Sequence, residues 1–408
     1  MENDFSLLQK KRYFILIASC LINLCIGSMY AWSSLSAPMA KLLKTDLSSV
    51  FSVANGISFI AMIVGGLLND KYGPRWIMFV GGLMFGFGMF ASGLAQSKIH
   101  LILSYGICLG LGMSLVYGCT ISNTIKFFPD KRGMVGGLTT ASYGISSVIF
   151  APLTDVICGL VGPRKTFMVL GVVFLFVICA GAFVMQTCPK GFAPKGFELK
   201  QNKNTAVQDK TPLQMLATPI FYVMFIMLTC GGTFGLMIIS NARDLALNIV
   251  KCKPAVATLF VSVLCLFNTA GRLIAGILSD KLGRINTLTT ALFIALLGLG
   301  SLWIAEVNAS IILFTIGIML IGICFGTFMG VFPGFCTDRF GTKNNTVNYG
   351  IMWIGFSLAG IIGPMILSSV FKKRGEYGGA FLVAIILAGL GLLLTMVYRF
   401  LVKKQNKN

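Results

Sequence analysis

Charged residues are scarce in this chain of 408 residues, since only 11% are Asp, Glu, Lys or Arg, whereas a soluble domain has about 25%. The sequence has one histidine, His100, and its twelve cysteines form no CxxC pair. It therefore lacks the ligands of a zinc site and the pattern of a disulfide framework, and we expect no metal or other cofactor. Hydrophobic residues make up 56% of the chain. This composition predicts a membrane protein.

Apolar runs of the roughly 20 residues needed to cross a bilayer recur along the whole chain. The first run follows Lys10, Lys11 and Arg12 but is too long for a signal peptide, so we expect a retained helix. The sequence predicts an all-α membrane protein with twelve transmembrane helices. Their approximate positions are 13–37, 49–69, 74–95, 99–124, 134–157, 165–187, 217–241, 254–279, 285–305, 309–334, 345–370 and 379–402.

Acidic residues are rarer than basic ones. The chain has 13 Asp and Glu against 33 Lys and Arg, and its net charge is +20. In a soluble protein this excess would suggest nucleic acid as a partner. Here the basic residues lie mostly in short loops between apolar runs, and they are more frequent in the loops that are cytoplasmic if the N-terminus is inside. We therefore expect a multi-pass protein of the cell membrane, with both termini cytoplasmic and no nucleic-acid partner.

Long polar segments are also missing, with one exception after the sixth apolar run. The stretch from Cys188 to Gln214 is rich in Lys, Gly, Pro and Asn, which is typical of a linker. The predicted organisation is an N-terminal six-helix bundle (1–187), a cytoplasmic linker (188–216) and a C-terminal six-helix bundle (217–408).

The two halves share a motif in equivalent loops. GGLLNDKYGPR (65–75) follows the second run and AGILSDKLGR (275–284) follows the eighth. A single copy could be a polar turn, but two copies in equivalent loops make chance a poor explanation. We expect an ion network that locks two helices in one conformation and releases them in another. The candidate gating residues are Asp70, Lys71, Arg75, Asp280, Lys281 and Arg284.

An arginine interrupts the eighth apolar run. At 1.5 Å per residue, Arg272 lies about 12 Å from Asp280 at the end of the run, close to the bilayer centre. A central arginine costs about 2.5–3.5 kcal/mol to insert, and such residues usually face a cavity. Because every carboxylate falls in a loop or near a span end, we expect the carboxylate of a substrate to be the counter-ion. The alternative is a structural arginine bonded to backbone carbonyls.

Polar and aromatic residues near the same depth are further candidates for the substrate site. Asn268 lies one turn before Arg272 on the same helical face, where it could bond the guanidinium or the ligand or join two helices. Four aromatic residues fall near the middle of their spans rather than in an interfacial belt, and they could line a small pocket or simply pack the core. They are Tyr30, Tyr117, Tyr143 and Trp353.

The paired loops, the central linker and the six-plus-six layout resemble the major facilitator superfamily. YAWS (30–33), FFPDKRG (127–133), GRLIAGILSD (271–280) and TDRFG (337–341) resemble its oxalate:formate antiporter family, and NYGIMWIGF (348–356) is most similar to a branch associated with pyruvate. The resemblance implies a monomeric secondary transporter, not an enzyme, with a midplane site between two parallel repeats.

The resemblance also implies roles for single residues, because Tyr30, Tyr117, Tyr143 and Arg272 match family positions associated with the anion site. Phe356 matches the position of a lysine that is the second cation of the oxalate transporter. One cation instead of two favours a monoanion, because a dianion would keep an uncompensated charge in a low-dielectric site. We therefore expect a small monocarboxylate such as pyruvate, lactate or formate, moved by alternating access.

Other functions stay open on the sequence alone. An oxalate:formate-type exchanger or a carboxylate sensor that does not transport would use the same residues, and the co-substrate could be a proton or a counter-anion. An exporter of cationic drugs is disfavoured, because Arg272 would repel its substrate. A membrane enzyme is disfavoured, because the spans hold no cluster of catalytic residues.

The predicted topology is testable by cysteine labelling. A single cysteine introduced near Lys200 should be inaccessible to an impermeant thiol reagent added outside intact cells, because the charge asymmetry places the linker inside. Labelling that equals that of a cysteine placed in an outer loop would contradict the topology.

Overall fold

The computed structural model describes residues 2–189, 192–194 and 209–405, with the side chains at 2–7, 33, 37, 48, 70, 254 and 255 excepted. This part of the chain is mostly helical and holds no β-strand. Twelve of its helical segments are long and apolar enough to cross a membrane. The predicted all-α membrane fold with twelve spans is therefore confirmed.

The twelve segments are called spans 1 to 12 below. They run over Leu8–Ala31, Ser49–Asn69, Pro74–Gly93, Lys98–Lys126, Arg132–Val161, Pro163–Val184, Pro219–Ile239, Val256–Leu282, Arg284–Asn308, Ile311–Phe340, Asn345–Arg374 and Gly378–Gln405. Shorter helices cover Trp32–Leu43, Pro212–Leu216 and Ala242–Leu245.

Three of the turns between consecutive helices consist of a single glycine. Gly73, Gly162 and Gly283 have φ angles of 78°, 81° and 86°, and the next helix begins at the following residue. Side chains other than glycine rarely adopt this conformation. Two of the following residues are Pro74 and Pro163, whose fixed φ and missing N–H suit the first position of a helix. The repeated Gly-Pro and Gly-Arg pairs thus fix the ends of these spans locally.

Span 1 departs from α-helical geometry in its second half. Gly27–Ala31 forms a 3₁₀ turn before the helix continues as Trp32–Leu43. The backbone of Gly27 contacts span 5 closely, because a Cβ atom there would meet the carbonyl oxygen of Tyr143 and lie 2.8 Å from the Cβ of Ser146. Irregular turns inside helices often occur at functional positions. This turn carries Tyr30.

The chain divides into two compact units. The first unit comprises residues 1–211 and 333–353, and the second comprises residues 212–332 and 354–408. Spans 10 and 11 thus contribute residues to both units. The sequence-based boundaries of two bundles and a linker stay a prediction.

The chain is bound within the first unit both just before the predicted linker and inside it, while residues 190, 191 and 195–208 lie outside the described residues. Before the linker, the Arg75 side chain donates a hydrogen bond to the carbonyl oxygen of Met185 (3.3 Å). At its other end, one carboxylate oxygen of Asp209 accepts bonds from the backbone N–H groups of Thr342 and Lys343 (2.8 and 3.0 Å). The chain before and after the undescribed stretch is therefore held by specific polar contacts.

Span 8 and span 10 touch through their backbones inside the second unit. A Cβ atom at Gly322 would lie 2.7 Å from the carbonyl oxygen of Leu264, and one at Gly330 would lie 2.7 Å from that of Arg272. A Cβ atom at Gly326 would overlap the carbonyl oxygen of Asn268. The three glycines follow the GxxxG spacing that lets membrane helices approach closely. They place the backbone of Asn268 and Arg272 directly against span 10.

Adding side-chain volume at this contact should destabilise the protein. Gly326→Val forces spans 8 and 10 apart, and we expect a loss of about 1–3 kcal/mol in stability, which is typical of overpacking. The measurement is the apparent melting temperature of the purified protein in detergent. Gly300→Val is the control, because a Cβ atom at Gly300 has no neighbour within 4 Å. Equal melting temperatures for the two variants would contradict the tight packing.

Candidate functional site

Arg272 lies inside span 8 as one of the largest fully buried side chains, with 1% of its surface exposed. Its Nε donates a hydrogen bond to the Oδ1 atom of Asn268 at 3.3 Å, and Asn268 is 0% exposed. The two side chains are one helical turn apart, as their spacing in the sequence predicts. The structure therefore joins these two predicted site residues.

The acidic residues of the second unit lie near the ends of helices, whereas Arg272 lies in the middle of a span. Asp280 forms an ion pair with Arg284 (2.8 Å), and the Glu306 carboxylate accepts a hydrogen bond from the backbone N–H of Tyr377. Asp244 follows span 7, and Glu376 precedes span 12. Each of these positions suits a solvated or locally bound carboxylate.

Phe356 lies in span 11 and is buried against apolar neighbours. Its ring is 6.3 Å from that of Phe325 in span 10, and a Cβ atom at Gly232 would lie 3.7 Å from its Cδ2 atom. Phe325 is itself fully buried one residue before Gly326. The position where the resemblance to the oxalate transporter expects an ammonium group is thus held by an aromatic ring in an apolar setting.

The four predicted aromatic residues meet in one cluster of the first unit. The ring of Tyr143 is 5.0 Å from that of Tyr30 and 5.2 Å from that of Tyr117, and the Tyr117 ring is 5.3 Å from that of Trp353. Tyr30 is partly exposed, while the other three are buried. Edge-on and tilted packing of this kind is favourable for aromatic rings.

Two further residues join this aromatic cluster, and sequence reasoning missed both. Trp353 donates a hydrogen bond from Nε1 to the hydroxyl oxygen of Ser58 (3.2 Å), and its ring lies 5.6 Å from that of Tyr349. Tyr349 belongs to the quoted NYGIMWIGF motif and is one helical turn before Trp353, so helical spacing could have indicated it. Ser58 had no sequence signal, since a single serine in an apolar span is common.

The second copy of the repeated loop contains an ion pair. Arg284 donates to both the carboxylate of Asp280 and the hydroxyl of Ser279, whose backbone carbonyl oxygen accepts the N–H of Gly283 at the turn. Lys281 is exposed. These three predicted gating residues are therefore close in sequence and space, and their role in gating stays a prediction.

The first copy of the loop contacts the segment that follows span 6. Arg75 bonds the backbone of Met185, and Lys71 is exposed with its ammonium 5.1 Å from the ring centre of Tyr72. The side chain of Asp70 lies outside the described residues. The role of Asp70, Lys71 and Arg75 in gating also stays a prediction.

Gly66 of this first copy provides a close helix contact. A Cβ atom there would lie 2.9 Å from the carbonyl carbon of Thr346 and from the backbone nitrogen of Val347. On the facing side, a Cβ atom at Gly350 would lie 3.0 Å from the backbone nitrogen of Ile63. Span 2 and the first part of span 11 therefore pack backbone to backbone within the first unit.

Comparison with known proteins gives the context of these features. The chain is 30% identical over 356 residues to YhjX, an uncharacterized MFS-type transporter of Escherichia coli (strain K12), covering 86% of this chain and 87% of that protein. It is 29% identical over 399 residues to the oxalate:formate antiporter of Oxalobacter formigenes, covering 93% and 89%. It is 24% identical over 364 residues to monocarboxylate transporter 13 of Bos taurus, covering 87% and 81%.

The fold is also found among solved structures. The proton:xylose symporter XylE, bound to 6-bromo-6-deoxy-D-glucose, superposes with a TM-score of 0.74 over 95% of both chains. At 13% sequence identity, this likeness concerns the fold alone. The family model of the Major Facilitator Superfamily matches residues 17–364. With its twelve spans, the chain therefore belongs to the Major Facilitator Superfamily of membrane transporters.

Proposed function

We propose that this protein transports small organic monocarboxylate anions by alternating access, with the substrate carboxylate bound to Arg272. The observation that carries the proposal is a guanidinium group with 1% exposure inside an apolar span. A buried cation is costly unless an anion approaches it. A carboxylate matches the planar fork of guanidinium donors in bidentate geometry.

The names of two relatives support an anionic substrate. One relative is an oxalate:formate antiporter and another is a monocarboxylate transporter. Phe356 favours the monocarboxylate over the dicarboxylate, because its ring adds no positive charge to the surroundings of Arg272. With one cation, a monoanion leaves a neutral site, whereas oxalate leaves one net negative charge.

We further propose that both termini are cytoplasmic, that the protein acts as a monomer in the cell membrane, and that Asp70, Asp280 and their basic neighbours control the conformational change. For the aromatic cluster the proposal is separate: Tyr30, Tyr117, Tyr143 and Trp353 contact substrate at some stage of the transport cycle. Their rings supply apolar faces with polar groups at the edge.

The uncharged side chain of Asn268 affects which ion we propose to move together with the substrate. The resemblance to animal monocarboxylate carriers implies an acidic residue one turn before the arginine, and this chain has Asn268 at that place. The amide of Asn268 does not ionise near neutral pH, so it cannot take up and release a proton during transport. This disfavours proton symport by that route and favours anion exchange or facilitated diffusion.

The decisive experiment is transport by the purified protein in liposomes. Vesicles are loaded with one labelled monocarboxylate and challenged with a panel of unlabelled acids. Labelled efflux that depends on the protein supports transport, and its dependence on an external acid distinguishes exchange from facilitated diffusion. Binding of the acids without any flux would favour a sensor on the same fold and would overturn the proposal.

Substitution of the arginine tests its role directly. Arg272→Ala should abolish transport, with a loss of affinity of about a hundredfold, because a charge-assisted bidentate pair is lost. Arg272→Lys should also be poor, since an ammonium lacks the planar fork. Arg399→Lys is the control, because Arg399 is exposed near the end of span 12. There its side chain donates a hydrogen bond to the hydroxyl of Thr289 in span 9. Wild-type transport by a folded Arg272→Ala protein would refute the assignment.

Substitution of Phe356 tests the charge preference. Phe356→Lys should weaken transport of pyruvate-like acids and give measurable competition by oxalate, because two cations then face the anion. Phe356→Met is the size control, and melting temperatures show whether the buried lysine is tolerated. Equal inhibition of the unmutated protein by oxalate and pyruvate would show that one arginine does not set the preference.

A further inference from the structure

Two residues near the end of the linker, Asp209 and Lys210, are bound to the turn between spans 10 and 11. We propose that they act as a latch, which holds the start of span 11 where span 2 packs against it and so favours the conformation in which spans 2 and 11 are in contact. This control of the transport cycle is separate from the proposed substrate and rests only on the alternating access that the proposed function includes.

The carboxylate of Asp209 binds the backbone just before span 11. Its Oδ1 atom accepts hydrogen bonds from the N–H groups of Thr342 (2.8 Å) and Lys343 (3.0 Å). Span 11 begins at Asn345, directly after this turn. Because a negative charge is favourable near the N-terminal end of a helix, the carboxylate suits this position by its charge as well as by its hydrogen bonds.

The backbone of Lys210 is bound to the same turn. Its N–H group donates to the carbonyl oxygen of Phe340 (2.9 Å), and its carbonyl oxygen accepts from the Nδ2 atoms of Asn344 and Asn348 (3.1 Å each). Phe340 is the last residue of span 10, and Asn348 lies in the first turn of span 11. The latch therefore joins the end of one span to the start of the next.

Gly341 makes room for the latch. This glycine ends the TDRFG motif (337–341) and has a φ angle of 87°. A Cβ atom at Gly341 would overlap the Oδ1 atom of Asp209 and lie 2.7 Å from its Cα atom. The left-handed backbone and the close approach both require glycine at this position. The latch thus explains why the TDRFG motif ends in glycine.

The residues of span 11 that follow the latch contact span 2. The backbone of Thr346 faces Gly66, and Gly350 faces Ile63 one helical turn later. Span 2 belongs to the first six spans and span 11 to the last six. Because alternating access in transporters built from such repeats is largely a movement of one repeat against the other, the contact between spans 2 and 11 should form and break during the cycle.

This contact also contains an unfavourable feature, which makes outside support important. The hydroxyl of Thr346 finds no hydrogen-bond partner among the described residues, although the residue is only 2% exposed. Such a group destabilises the packed helices, and water satisfies it when they separate. A small stabilisation by the latch can therefore decide between the two conformations. Asp209 itself is exposed, so water can replace its bonds and release the latch.

The test measures hydrogen exchange by mass spectrometry on the purified full-length protein without substrate. Asp209→Ala removes both bonds of the carboxylate. We expect the backbone amides of residues 62–69 and 345–350 to exchange about three to ten times faster, which is the effect of one or two hydrogen bonds on an equilibrium. Asp209→Asn keeps an acceptor oxygen and should stay closer to the wild-type rates. Glu376→Ala is the control, because Glu376 is an exposed acidic residue of the second unit.

Exchange in span 2 distinguishes a latch from a local structural role. The hydrogen bonds of Asp209 that the structure describes go to the turn before span 11, so a turn that is merely loosened should affect residues 340–345 alone. Faster exchange confined to 340–345, or wild-type exchange in 62–69, overturns the proposal. If Asp209→Ala does not fold, Asn344→Ala takes its place in the same comparison, because it removes a bond to Lys210.

The result of this test is independent of the substrate. Exchange is measured without any acid present, so a protein that fails to transport monocarboxylates in liposomes can still show the effect of the latch. Conversely, transport with unchanged exchange in span 2 would overturn the latch and leave the proposed function intact.

Discussion

The arrangement of the second unit depends on one constraint, which is the burial of the Arg272 guanidinium inside a membrane span. A cation at 1% exposure must find hydrogen-bond acceptors within reach, and the structure supplies the first of these one turn away, at Asn268. The glycines of span 10 then bring a second backbone against the same turn. The Arg272 guanidinium, the Asn268 amide and the contact with span 10 together hold a group of hydrogen-bond donors in an apolar setting.

The two units contribute different chemistry. The second unit holds a cation, a neutral amide and phenylalanine rings, and the first unit holds a cluster of tyrosine and tryptophan rings. The aromatic cluster starts at a 3₁₀ turn, where the chain of span 1 leaves regular helical geometry against span 5. An irregular turn of this kind can present a side chain such as Tyr30 in a direction that a straight helix does not.

The two copies of the repeated loop form the same kind of turn. Both copies place a glycine with positive φ between two helices, at Gly73 and Gly283, because a local sequence determines a local turn. Arg284 bonds a carboxylate of its own helical turn. Arg75 bonds the backbone of Met185, which belongs to a distant part of the chain, and a contact of this kind depends on the surroundings of each copy rather than on the motif.

The sequence by itself determined the twelve spans and the position of Arg272 inside one of them, because the length of an apolar run and the place of a charge within it are local properties. The family resemblance indicated which aromatic residues to consider. Only the tertiary structure decided that Ser58 and Tyr349 join Trp353 and that Gly322, Gly326 and Gly330 face span 8. These features depend on residues that are far apart in the chain. Hydrophobic periodicity and charge counts describe each helix by itself, so they cannot give the distance between two helices.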